Sequence, residues 1–145
     1  MREIHTEIKI NADSKRVWAV LTNYEGHQRW NPFIKSWSGD KEKGGKLEVL
    51  IEPPGGNAMT FKPTILKFDE ERELRWLGRL GIPGIFDGEH YFQIEQISDN
   101  QVRFIQGEKF KGILIPFLGS IFPKTIEGFN AMNEALKSEC ENSQL

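Results

Sequence analysis

The residues that are scarce in this sequence exclude several classes of protein. Cys140 is the only cysteine among 145 residues, so the chain cannot form an internal disulfide and is not a disulfide-rich secreted scaffold. The formal net charge is -2, and the basic residues are spread along the chain. We expect no nucleic-acid partner, because binding a phosphate backbone requires a basic surface.

Motifs for metals and cofactors are also lacking. The three histidines, His5, His27 and His90, have no cysteine partner and form no pair at the spacing that a zinc site needs. The sequence contains neither a GxSxG nucleophile elbow nor a glycine-rich dinucleotide fingerprint after a strand. We therefore predict no metal and no cofactor.

Long apolar runs are missing as well. The N-terminal stretch MREIHTEIKI lacks the apolar core of a signal peptide, and no stretch approaches the ~20 apolar residues needed to span a bilayer. The sequence predicts a cytoplasmic protein without a transmembrane segment.

Aromatic residues, in contrast, are abundant. The chain has ten phenylalanines and four tryptophans, with 38% hydrophobic and 28% charged residues. This composition is that of a globular protein, and the length fits one domain with a sizeable core. We predict a single domain over residues 1–139, followed by a frayed polar tail over residues 140–145.

The periodicity of apolar residues predicts the order of the elements. Alternation indicates seven strands over residues 4–10, 33–37, 46–52, 59–68, 74–80, 85–97 and 101–110. Asp13 or Ser14 can cap the first of two short helices before Pro32. Beyond Pro123 the apolar spacing changes to that of one long helix, whose apolar stripe is formed by Ile126, Phe129, Met132 or Asn133, and Leu136.

This order predicts an α+β architecture. Six consecutive antiparallel strands and an available first strand make a curved sheet with one apolar face, and the last helix is the only element large enough to cover it. One helix leaves space on a wide concave sheet. Either aromatic side chains fill that space or a cavity remains.

Several motifs resemble those of a known superfamily. They are Val17-Trp18, WNPF at 30–33, LRW at 74–76, GEHYF at 88–92, EKFKG at 108–112 and FNAMNEAL at 129–136. With them the chain resembles the START-like superfamily and, within it, the bacterial polyketide cyclase/dehydrase-like group, relatives of the Bet v 1 allergens. The resemblance implies a helix-grip fold, in which a seven-stranded antiparallel sheet wraps around a long C-terminal helix and encloses a hydrophobic cavity. It also implies binding of apolar molecules, and in some members cyclisation or dehydration of polyketides.

The last hairpin brings candidate catalytic residues together. A turn at residues 98–100 pairs Phe92 with Gln106 and His90 with Glu108 on the inner face. A histidine beside a carboxylate in an apolar site can act as a general acid or base. Alternatively, the pair only orients the cavity wall or lies at a solvated rim.

Further residues are candidates for contact with a ligand. Trp76, Phe129 and Met132 can alternatively be core residues, and Asn133 can alternatively face a neighbouring loop. The whole predicted binding set comprises Trp76, His90, Phe92, Phe104, Gln106, Glu108, Phe110, Phe117, Phe129, Met132 and Asn133.

The uncharged segment 112–119 supports two hypotheses about function. As a lid with hinges at Gly112 and Gly119, it closes a cavity that holds a small hydrophobic or aromatic ligand, with or without a cyclase or dehydrase reaction. As an exposed apolar surface, it is a protein- or membrane-interaction module of the co-chaperone or assembly-factor type. The sequence does not define the oligomeric state.

Overall fold

A computed structural model describes residues 1–79 and 82–142. The strands are β1 Arg2–Ile10, β2 Ile34–Gly39, β3 Leu47–Ile51, β4 Met59–Phe61, β5 Thr64–Asp69, β6 Glu73–Arg79, β7 Asp87–Ser98 and β8 Gln101–Lys111. The helices are α1 Ser14–Thr22, α2 His27–Trp30 and α3 Phe122–Asn142, with short 3-10 turns at Tyr24–Gly26, Ile115–Phe117 and Gly119–Ile121. In the described part of the chain, no helix has both the length and the apolar character to cross a membrane.

The strands form one curved antiparallel layer. Five pair in the order β1-β8-β7-β6-β5 and three in the order β2-β3-β4. A bridge between Lys46 and Thr64 joins the two sets, as does a 3.0 Å bond from the Leu47 amide to the Pro63 carbonyl. α3 packs against β1, β8 and α1. This arrangement confirms the predicted α+β helix-grip fold.

The sheet differs from the predicted one in the number of strand segments. The single strand predicted over residues 59–68 is divided into β4 and β5, with Lys62 and Pro63 between them. Proline has no amide N–H for the ladder and is confined to edges, strand starts and interruptions. β4 pairs with β3, and β5 pairs with β6, so the chain changes partner at Pro63.

The last helix corrects the predicted C-terminal tail. α3 continues through Cys140 to Asn142, and Cys140 is fully buried. Cys140 lies one turn beyond Leu136 and therefore extends the apolar stripe of the helix. Burial raises the pKa of its thiol to about 12. The predicted strand end at residue 80 and the tail residues 143–145 lie outside the described residues.

The helical segment before β2 is organised by a buried histidine. The ring of His27 stacks on Trp37 at 4.0 Å between centroids. Its Nε2 lies 2.7 Å from the Leu21 carbonyl, and its Nδ1 lies 3.0 Å from the Asn31 side-chain amide. The Asn31 oxygen accepts bonds from the amides of Phe33 and Ile34 at 2.9 and 3.0 Å. The WNPF motif thus fixes the entry into β2.

The environment of His27 predicts a pH dependence of stability. Burial lowers the pKa of His27 from 6.5 to about 4, although the bond to Leu21 opposes the shift. Below pH 6.5 the unfolded chain binds a proton that the folded protein does not bind. The free energy of unfolding should therefore fall as pH drops through this window, by at most about 1.4 kcal/mol per pH unit and about 3 kcal/mol in total.

Denaturant titrations at several pH values between 6.5 and 4 measure this effect. His27→Gln keeps a donor and an acceptor and should remove this part of the pH slope, whereas exposed His5→Gln should retain it. An equal slope in the wild type and His27→Gln would contradict the assignment.

Candidate functional site

A partly enclosed cavity lies between the sheet and the start of α3. Its volume is about 550 Å³, within the range of pockets that hold small organic molecules. Aromatic and aliphatic side chains form most of its wall. It is lined by Phe33, Ile51, Pro53, Gly56, Asn57, Met59, Phe61, Pro63, Trp76, Gly78, Arg79, Phe86, Gly88, His90, Glu108, Phe110, Ser120, Ile121, Lys124 and Thr125.

The strand register builds the deepest wall of the cavity. Across β6, β7 and β8, Trp76 is opposite His90, and His90 is opposite Glu108. This register confirms the predicted pairing of His90 with Glu108 and of Phe92 with Gln106. Because side chains alternate between the two faces of a strand, the three residues form one row on the inner face.

Two glycines in the neighbouring row differ in the space beside them. Gly78 is opposite Gly88 on β6 and β7, and both line the cavity. A Cβ atom at Gly78 would have no heavy atom closer than 3.9 Å. A Cβ atom at Gly88 would lie 2.2 Å from Oε2 of Glu108, so the carboxylate occupies the place of a side chain at Gly88.

His90 is held rigidly at the base of the cavity. It is 1% exposed, and its ring lies 4.5 Å from that of Phe92 and 4.9 Å from that of Phe129. Its Nδ1 lies 3.3 Å from Oε1 of Glu108, whose side chain is 17% exposed. Its Nε2 lies 2.9 Å from Oε1 of Gln106.

A buried hydrogen-bond network behind the cavity determines which nitrogen of His90 carries a proton. The Thr6 hydroxyl donates to the Gln106 backbone carbonyl at 2.7 Å, and its oxygen therefore accepts from Nδ2 of Asn133 at 2.9 Å. This leaves Oδ1 of Asn133 to accept from Nε2 of Gln106 at 2.8 Å. The same Gln106 nitrogen lies 3.4 Å from the Phe129 carbonyl, which can only accept.

The network fixes the tautomer of His90. Because the Gln106 amide nitrogen faces two acceptors, its Oε1 faces His90, and Nε2 of His90 must donate. A neutral imidazole then presents the lone pair of Nδ1 to Glu108. A lone pair facing a carboxylate is repulsive, so this 3.3 Å contact is favourable when one proton lies between Nδ1 and Oε1. The pair is thus placed to share a proton at the cavity wall.

Only part of the predicted binding set reaches the cavity. Trp76, His90, Glu108 and Phe110 line it, whereas the other predicted residues do not. Phe92, Phe104, Phe129 and Met132 are fully buried in the core, and Gln106 and Asn133 belong to the buried network. Phe117 is 80% exposed and is not among the lining residues.

Several lining residues are absent from the predicted binding set. Phe61 ends β4, while Phe33 and Phe86 stand just before β2 and β7, so alternation along a strand does not assign them to the cavity. Gly78 and Gly88 did leave a signal, since glycine inside a strand often marks a close approach or empty space. Within residues 1–79 and 82–142, no group of three or more His, Cys, Asp or Glu side chains could hold a metal ion.

The fold and the cavity define a helix-grip protein of the START-like type. A family model described as polyketide cyclase/dehydrase and lipid transport matches residues 1–141, and the chain belongs to this family. No functionally curated protein matches the chain in sequence.

Solved structures share the fold at low sequence identity. A START superfamily protein from Mycobacterium smegmatis is 16% identical, with a TM-score of 0.74 over 97% of this chain and 98% of that chain. The Zhui aromatase/cyclase of a Streptomyces species is 13% identical, with a TM-score of 0.77 over 99% and 96%. Norcoclaurine synthase from Thalictrum flavum, in complex with dopamine and hydroxybenzaldehyde, is 14% identical, with a TM-score of 0.70 over 94% and 84%.

Nuclear magnetic resonance of the histidine rings tests the derived tautomer. Long-range proton–nitrogen correlation spectra of isotope-labelled protein should show the proton on Nε2 of His90 at every pH at which the protein is folded. His27 is an internal reference, because its Nε2 faces the Leu21 carbonyl and must also donate. A spectrum in which His90 carries its only proton on Nδ1 would overturn the network.

Proposed function

We propose that the protein binds a small, largely apolar molecule with an aromatic ring and one oxygen substituent in the cavity above His90. The observation that carries this proposal is the contrast within the lining. Aromatic and aliphatic side chains form most of the wall around the contact between His90 and Glu108, and the other polar lining residues are Asn57, Arg79, Ser120, Lys124 and Thr125. A ligand that buries its ring against the wall and carries a hydroxyl group can donate a hydrogen bond to the Glu108 carboxylate.

The aromatic residues support a ring-shaped ligand. Phe33, Phe61, Trp76, Phe86 and Phe110 line the cavity from different strands and loops. Aromatic pairs gain about 0.5–1.5 kcal/mol beyond burial when rings stack or meet edge to face. The names of two structural neighbours also refer to aromatic compounds. One is an aromatase/cyclase, and the other is a synthase in complex with dopamine and hydroxybenzaldehyde.

The residues behind the wall have a supporting role in this proposal. Gln106 and Asn133 hold the His90 ring by hydrogen bonds, while Phe92 and Phe129 pack against its faces. Phe104 and Met132 fill the core beneath them. A rigid His90 keeps its Nδ1 directed at Glu108 while a ligand enters and leaves.

The shared proton also makes acid–base chemistry available. The pair can donate its proton to a carbonyl oxygen, or Glu108 can remove a proton from carbon next to a carbonyl group while His90 stabilises the charge. These are the elementary steps of cyclisation and dehydration. Binding is the primary proposal, and a reaction of this type is its enzymatic extension.

Filling the cavity tests the binding site. At Gly78 the added side chain of Gly78→Val meets open space, and valine favours a strand, so the fold should be retained or stabilised. Isothermal titration calorimetry with β-naphthol should show binding to the wild type and at least ~tenfold weaker binding to the variant. Ile97→Ser, at an exposed position outside the cavity lining, is the matched control.

Two negative results together would reject the proposed binding of aromatic ligands. If the wild type does not bind β-naphthol, and native mass spectrometry of freshly purified protein shows no co-purified small molecule, the cavity is not a binding site for aromatic ligands. Unchanged affinity in Gly78→Val would place the ligand elsewhere.

Displacing the carboxylate tests the polar contact. Gly88→Ala puts a methyl group where Oε2 of Glu108 now lies, and Gly78→Ala adds the same methyl group one strand away without a clash. The wild type and Gly78→Ala should bind β-naphthol about tenfold more tightly than naphthalene, since a charged hydrogen-bond partner is worth roughly 1.5–3 kcal/mol. Gly88→Ala and Glu108→Ala should lose this preference. Equal preference in all four proteins would remove Glu108 from the site.

A further inference from the structure

Among the described residues, four large and exposed apolar side chains lie in the two connections that follow β6 and β8. Ile82, Ile113, Phe117 and Ile121 are 68%, 67%, 80% and 39% exposed. We call these four residues the apolar tip. Exposed apolar side chains that occur together on one part of a surface mark an interaction site more often than scattered ones do.

Backbone contacts build the tip as a defined structure. The Ile113 amide donates to the Gly84 carbonyl at 3.1 Å, and the Leu114 amide donates to the Ile85 carbonyl at 3.2 Å. Gly112 has a φ of 132°, and a Cβ atom there would lie 2.3 Å from the Ile85 oxygen. The close approach of the two connections therefore requires glycine.

The amide N–H groups in the connection after β8 are paired within the protein. Between residues 113 and 118 every amide N–H donates to a backbone carbonyl, and Pro116 has no N–H. The bonds of Ile115, Phe117 and Leu118 to Gly112, Leu114 and Ile115 measure 3.3, 3.0 and 3.2 Å. Unpaired amides are costly in the apolar part of a bilayer, and this segment exposes none.

Positive charge flanks the tip. Residues 82–86 and 112–122 contain no charged side chain, whereas exposed Lys111 and Lys124 stand at either end of the second connection. Neither lysine forms an ion pair with a carboxylate in the part of the chain that the structure describes. Apolar side chains between unpaired lysines complement an anionic lipid surface.

The tip is continuous with the cavity. Phe86 and Ile121 line the cavity from the same two connections that carry the tip, and Ile121 is also part of the tip itself. An apolar molecule dissolved in a bilayer would meet the cavity at the point where the protein contacts the lipid.

We propose that the apolar tip docks the protein on the surface of a lipid bilayer that contains anionic lipids. Phe117, Ile113 and Ile82 enter the boundary between head groups and acyl chains, and Lys111 and Lys124 contact the lipid phosphates and carboxylates. A protein partner fits less well, since four side chains expose far less than the ~800 Å² that each partner buries in a specific complex.

Co-sedimentation with extruded vesicles tests the docking surface. The full chain should sediment with vesicles of phosphatidylcholine and phosphatidylserine, and much less with phosphatidylcholine alone. Phe117→Ser should weaken the binding about tenfold because the largest inserted side chain is lost. Lys111→Gln and Lys124→Gln should each weaken it about fivefold and reduce its sensitivity to salt.

Two control variants test whether the apolar tip itself is responsible for binding to vesicles. Ile97→Ser removes an exposed isoleucine near the β7–β8 turn and should sediment like the wild type, as should Gly78→Val, which fills the cavity and leaves the tip intact. Absence of wild-type binding to anionic vesicles, or equal binding by Phe117→Ser, would overturn the proposal. So would a wild-type dimer that Phe117→Ser converts to a monomer, because the tip would then contact a second copy of the chain.

Discussion

Two backbone carbonyl groups determine the polarity of the hydrogen bonds behind the cavity. The carbonyls of Gln106 and Phe129 can only accept, so the donors that face them are fixed in order through Thr6, Asn133 and the Gln106 side chain. The last bond in this order reaches His90. Backbone carbonyl groups of β8 and α3 thus decide that Nε2 of His90 donates, without any charged group in the network itself.

The same residues also explain why the helix and the sheet keep their relative position. Asn133 on α3 bonds to Thr6 on β1 and to Gln106 on β8, and all three are buried. A slip of the helix by one turn would leave several buried polar groups unpaired, each at a cost of about 1–3 kcal/mol. The cavity lies beside this contact, and Gly78 adds no side chain to its wall where the sheet faces the first turn of α3.

The sequence predicts local pairing better than distant contacts. Alternation and a short turn were sufficient to place His90 opposite Glu108, because register in a hairpin depends on a few neighbouring residues. The fold class also followed from the order of the elements. Alternation gives no information about contacts between residues far apart in sequence. It places Gln106 and Asn133 on inner faces but does not show that the two side chains bond to each other. The exposure of Phe117 depends on how the connection after β8 folds, and the sequence pattern does not determine this.

The connection between β8 and α3 belongs to two surfaces at once. Its backbone bonds to Gly84 and Ile85 tie it to the connection after β6, so both segments form one hydrogen-bonded unit. Phe117 lies on the outer side of this unit, and Ser120 and Ile121 lie on the cavity wall. One short connection therefore carries both an exposed aromatic side chain and part of the cavity wall, and the close approach at Gly112 holds it against the connection after β6.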